Sequence, residues 1–162
     1  MRIAVISDSH DNIRNIEEAV RIAGEEKADM LIHCGDICSP FVIGKLAAFG
    51  GPVHIVFGNN DGDRFTIASV AADYSNVTVH GESGEIETET GRIAFTHRPE
   101  FGRGLAATGD FEAVFSGHTH KKLSTLTGSS RHINPGELLG LFEEPGFIIY
   151  DSGTRGEKQF LL

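Results

Sequence analysis

RIAVISDSHDN, residues 2–12, runs from an apolar segment with branched side chains into a polar loop. The apolar part, Arg2–Ser7, reads as a buried strand. Asp8-Ser9-His10-Asp11 then offers several side chains suited to cap a helix, with Asp11 the favoured one. From Asn12 to about Glu26 the spacing becomes helical, with Ile13, Ile16, Ala19, Val20 and Ala23 on one face. The unit is strand, polar loop, helix.

The same unit recurs twice. Met30–His33 is a strand leading into Cys34-Gly35-Asp36, and Pro40 suits the first turn of a helix reaching about Phe49 before Gly50-Gly51. Val53–Phe57 leads into Gly58-Asn59-Asn60-Asp61 and a helix around Arg64–Ala72. The remainder changes character. Val77–His80, Glu85–Thr90, Arg92–Thr96, Ala113–Ser116, Leu123–Thr127, Arg131–Ile133, Phe147–Asp151 and Lys158–Leu162 read as short strands, with a short helix at Gly102–Thr108. A βαβαβα half followed by a mostly β half predicts two stacked sheets with helices outside, because both faces of an apolar sheet must be covered. No linker or repeat interrupts residues 1–162, so one domain is expected.

Composition narrows the class. The 162 residues carry 14 Lys+Arg, 23 Asp+Glu and 8 His, a formal net charge of −9. That charge speaks against a stable nucleic-acid binder, which presents a basic face. It leaves room for a small anionic substrate, since a metal centre supplies local positive charge. No apolar run approaches the ~20 residues of a membrane span, and the N-terminus lacks a signal core, so a cytoplasmic protein is expected. Cys34 and Cys38 read as small buried hydrophobes, not a disulfide framework. A homo-oligomer stays open.

Five strand ends carry metal-ligand side chains: Asp8 and His10, Asp36, Asn59, His97, and His118 with His120. Each fragment alone is weak, since turn aspartates and N-caps are common. Their joint occurrence is not, because ligands of α/β sheets collect outside the carboxyl ends of strands. The set combines carboxylates, imidazoles and an amide oxygen, which favours Mn, Fe, Co, Ni or Zn over Ca or Mg. Seven donors exceed a closed tetrahedral site. They suit two divalent transition-metal ions sharing a carboxylate, the arrangement that clamps both oxygens of a phosphoryl displacement.

Asp8-Ser9-His10, Gly35-Asp36, Gly58-Asn59, His97 and Gly117-His118-Thr119-His120 resemble, in order, the motif string of the calcineurin-like metallophosphoesterases. The chain length and Asn134-Pro135-Gly136 are similar to the small YfcE-type phosphodiesterases. The resemblance implies a four-layer αββα sandwich, two mixed β-sheets flanked by helices. It implies that Asp8, His10, Asp36 and His120 hold one ion, and Asp36, Asn59, His97 and His118 the other. The implied activity is hydrolysis of a small phosphodiester by a metal-bridging hydroxide, with Asp36 and Asn59 in the catalytic machinery and Asp61 orienting it. Relatives often place a His at position 60, where this chain has Asn60, and His-Gly-His where it has His97-Arg98-Pro99. Asn60 cannot serve as a general acid. Asn60 and Arg98 are the candidates for touching substrate, Arg98 through a bidentate phosphate clamp. The alternatives are a metal-binding interaction scaffold of the same fold, or a phosphomonoesterase.

Overall fold

A computed structural model describes all residues, 1–162. Four parallel strands, β1 (Arg2–Ile6), β2 (Met30–His33), β3 (Val53–Ile55) and β4 (Val77–Val79), are linked by α1 (Ile13–Glu25), α2 (Ile43–Ala47) and α3 (Arg64–Ala71). They share a sheet with the antiparallel pair β10 (Gly146–Asp151) and β11 (Gly156–Leu161), in the order β11-β10-β1-β2-β3-β4. The second sheet has the order β5-β6-β7-β9-β8. Its strands are β5 (Ser83–Glu87), β6 (Arg92–Thr96), β7 (Ala113–Phe115), β8 (Leu123–Thr127) and β9 (Ser130–Asn134). Helix α4 (Pro99–Thr108) connects β6 to β7, which pair in parallel.

Strand alternation builds the layers. Ala4, Ile6, Leu31, Val53 and Ile55 face Ile16, Ala19, Ala23, Ile43 and Ile67 of the first three helices. Their neighbours Ile3, Val5, Met30 and Ile32 point the other way, onto Ile93, Phe95, Ala113 and Phe115 of the second sheet. Ala94 and Val114, on the far face of that sheet, pack on Ala106 of α4. The result is helix, sheet, sheet, helix. Strands covered on both sides read as nearly unbroken apolar runs, as β1, β2 and β10 do. No helix is long and apolar enough to cross a membrane.

Several expected boundaries shift for local reasons. Pro40–Val42 forms a 3-10 turn before α2, which stops at Ala47, short of Phe49. Strand β5 lies earlier than expected, because Thr88–Gly91 closes a hairpin in which the Thr88 N–H donates to the Gly91 carbonyl at 2.8 Å. Helix α4 begins at Pro99, whose fixed φ suits a first helical position, and ends at Gly109 with φ 78°. Asp11 does not cap α1. The cap is Asn12, which accepts from the Asn15 N–H, while Asp11 accepts from the Ser39 N–H and hydroxyl at 2.9 and 2.5 Å.

Candidate metal centre

The loops leaving β1, β2, β3, β6 and β7 are laced together by their backbones. The Asp8 N–H donates to Gly35 O at 3.1 Å, His10 N–H to Asp36 O at 3.0 Å, and Gly117 N–H to His97 O at 3.0 Å. Asp61 ties two more: its carboxylate accepts from Cys38 N–H at 2.7 Å and Gly58 N–H at 2.6 Å. The packing leaves no room for side chains at the glycines. A Cβ on Gly117 would overlap Ser7 Oγ, and one on Gly58 would overlap Asp36 Oδ1.

Backbone strain concentrates here. Of nine non-glycine residues with positive φ, seven are Asp8, His10, Asp11, Asp36, Cys38, His118 and His120, at 42° to 77°. Such conformations cost of order 1 kcal/mol or more each and persist where surroundings enforce them.

All seven expected donors are brought together. Asp8, His10, Asp36 and His120 each offer one atom within 4.8 Å of the others. His97 Nε2 lies 2.9 Å from Asn59 Oδ1 and 3.2 Å from His118 Nδ1. Asp36 joins the two groups, with Oδ2 at 3.5 Å from both His10 Nε2 and His97 Nε2.

Hydrogen-bond partners set the imidazoles. His97 Nδ1 is 2.8 Å from the Cys34 carbonyl, so it carries the proton and Nε2 presents a lone pair. Burial lowers the His97 pKa, so the ring is neutral. Its lone pair therefore confronts the acceptor oxygens of Asn59 and Asp36. His10 Nε2 is buried with no hydrogen-bond partner. Lone pairs converging without protons between them suit a cation, and the mixed N and O donors suit a transition metal.

The carboxylates differ. Burial pushes Asp8 up to about 7, against the pull of the Ser7 hydroxyl at 2.5 Å and of His120. Burial also acts on Asp36, but Asn60 outweighs it by donating its backbone and side-chain N–H at 2.8 Å each. Helped by His97 and His10, these bonds hold Asp36 below the usual carboxylate range.

Sequence reasoning missed Glu137. This carboxylate is fully buried, and its Oε2 lies 2.6 Å from His120 Nδ1. Its Oε1 accepts from the Phe142 and Glu143 N–H groups at 2.6 and 2.8 Å. Those bonds and His120 overcome burial and keep it ionised. Glu137 thereby accepts from His120 Nδ1, holds the proton there and leaves the Nε2 lone pair free. The signal was an acid directly after Asn134-Pro135-Gly136. Glu137→Gln should weaken metal affinity roughly 10–100-fold by presenting an N–H to that nitrogen, which titration of the metal-free protein would measure. His33, buried, holds Ser9 Oγ at 2.9 Å and accepts from Gly35 N–H. Burial takes its pKa down to about 4.

Arg98 stands apart. It is exposed just before α4, lining a cavity of about 180 Å³ with Glu82, Thr96 and Phe101, none of them a cluster residue. Cysteines 34 and 38 are free, and Cys38 Sγ lies 3.5 Å from His10 Nδ1.

Residues 1–155 match the calcineurin-like phosphoesterase superfamily domain. The chain belongs to this superfamily. It is a phosphoesterase of a metal-dependent family. This phosphoesterase is 30% identical over 165 residues to phosphodiesterase MJ0936 of Methanocaldococcus jannaschii, covering 100% of the chain and 99% of that protein. A solved archaeal phosphodiesterase superposes on it with a TM-score of 0.92 at 28% identity, over 100% of both chains. The YfcE phosphoesterase of E. coli shares the fold, with a TM-score of 0.71, 17% identity and 99% coverage of each chain.

Proposed function

We propose that the chain hydrolyses phosphodiesters with two divalent transition-metal ions. Asp8, His10, Asp36 and His120 would hold one, and Asp36, Asn59, His97 and His118 the other. The observation that carries this reading is Asp36 Oδ2, equally distant at 3.5 Å from an imidazole nitrogen of each group. Bound cations would supply an activated water and neutralise the equatorial phosphoryl oxygens.

The protein's own residues set the rest. Glu137 and the Cys34 carbonyl fix the tautomers of His120 and His97, so the donor atoms face inward before substrate arrives. Asn60 keeps Asp36 ionised by occupying both its oxygens. Asp61 acts on the same loops through backbone N–H groups, so its part is positioning. With its amide committed to Asp36, Asn60 has no proton for the departing oxygen. Diesters of acidic alcohols are therefore the favoured substrates. Arg98, outside the cluster, would touch a long substrate only beyond its phosphate.

Hydrolysis of bis-p-nitrophenyl phosphate with Mn, Ni, Fe, Co or Zn tests this directly. Turnover should exceed that of p-nitrophenyl phosphate, and replacing p-nitrophenol by phenol should slow it by about 10²-fold or more for want of a general acid. A loaded protein inactive on every diester would refute the proposal. Elemental analysis separates the interaction-scaffold alternative: near two ions per chain supports the enzyme, none the scaffold.

A further inference from the structure

Four phenylalanines lie exposed: Phe41 at 58%, Phe65 at 85%, Phe101 at 63% and Phe142 at 68%. Phe142 alone makes ring contact with the donor cluster, its centroid 5.1 Å from that of His120 and the planes at 82°. We infer that Phe142 is the stacking surface for a planar aromatic group esterified to the substrate phosphate. This rests on the phosphodiesterase reading and names the substrate class it leaves open.

The placement is built, not incidental. The Phe142 and Glu143 N–H groups hang on Glu137 Oε1, and the other oxygen of the same carboxylate orients His120. One buried acid thus sets both a metal ligand and the ring beside it. The loop's base is tied as well: Asn12 Nδ2 donates to Leu139 O at 2.9 Å, and Gly146 N–H to Glu137 O at 3.0 Å. Leu141, the preceding residue, is 70% exposed as well. An aromatic on a tethered backbone, two-thirds in water and near-perpendicular to the His120 ring, offers apolar surface at little ordering cost. An aryl group or nucleobase on a phosphate held by the cluster would meet that surface. An alkyl group would gain far less.

Calorimetry on the manganese-loaded protein, with phenylphosphonate and methylphosphonate as probes, decides the matter. The unmodified protein should bind phenylphosphonate about tenfold more tightly, in line with one aromatic contact. Phe142→Ala should abolish that preference while leaving methylphosphonate affinity within about twofold and manganese content unchanged. Phe142→Tyr should preserve the preference, which loss of packing against His120 alone would not explain. Equal binding of both probes by the unmodified protein, or a preference that survives in Phe142→Ala, overturns the inference while the phosphodiesterase reading stands. Failure of both phosphonates to bind the loaded protein sinks both. Sedimentation supplies the last arm: if Phe142→Ala dissociates an oligomer and the probes are not discriminated, the ring is a subunit contact and the inference falls.

Discussion

Asp36→Asn should empty the whole cluster of metal, not half of it, and cut turnover of bis-p-nitrophenyl phosphate about a thousandfold or more, ~4 kcal/mol of barrier. The reason lies in the two sides of one oxygen. Oδ2 faces His10 on one side and His97 on the other, and also accepts from Asn60 Nδ2. An asparagine can turn its carbonyl toward Asn60 N–H only by setting its own NH2 against the Asn60 NH2, and the reverse flip meets the backbone donor. At 1% exposure, water cannot relieve either clash. The anionic bridge is lost in both orientations. Elemental analysis together with steady-state rates checks the outcome; a variant retaining two ions per chain and more than a tenth of the activity would exclude the shared role of Asp36.

Asp8→Asn should change sign with metal. In chelated protein, burial puts the Asp8 carboxyl at about 7 against an ordinary 3.8, a gap of ~4 kcal/mol. An acid raised in the folded state leaves stability intact at low pH and removes it as pH climbs from the unfolded to the folded value. Wild type should therefore lose ground to Asp8→Asn between about pH 4 and pH 7, up to ~4 kcal/mol, because the amide carries no charge to bury. The buried histidines act oppositely. His33 and His54, both lowered to about 4 chiefly by burial, favour the folded state more as pH rises from 4 toward 6.5. They are common to both proteins and cancel in the difference, which urea denaturation at several pH values in chelator would give. Added metal should reverse the order, since a cation welcomes the carboxylate and gains less from the amide. A difference that is flat across pH would refute the burial account.

The architecture was legible because the inner strands β1, β2 and β10 of the first sheet are covered on both faces and spell nearly unbroken apolar words. The donors were legible for a related reason: chain after chain of that kind ends in a loop, and Asp8, Asp36, Asn59, His97 and His118 each stand just past such an end. What stayed hidden depends on long-range returns. Glu137 reaches His120 only because the segment after β9 folds back across the cluster, so its place beside Asn134-Pro135-Gly136 alone does not reveal its partner. Asp11 is the favoured cap on paper, yet Asn12 caps α1, because Ser39, far along the chain, claims Asp11. Arg98 drew interest by its position next to His97, but Pro99 starts a helix there and Arg98 stands exposed beside Glu82, Thr96 and Phe101. Asn60 looked like a missing acid; its tie to Asp36 is visible only once the loops after β2 and β3 are adjacent.

The donors are divided between the layers: positions 8, 10, 36 and 59 follow strands of the first sheet, while 97, 118 and 120 follow strands of the second. No stretch emerging from the ribosome before residue 120 contains the full cage. Capture of ions by such a cage would thus be a late event of biogenesis, gated by the meeting of two halves, and an occupied cage would rivet them, so that sliding of one sheet over the other would first have to break coordination.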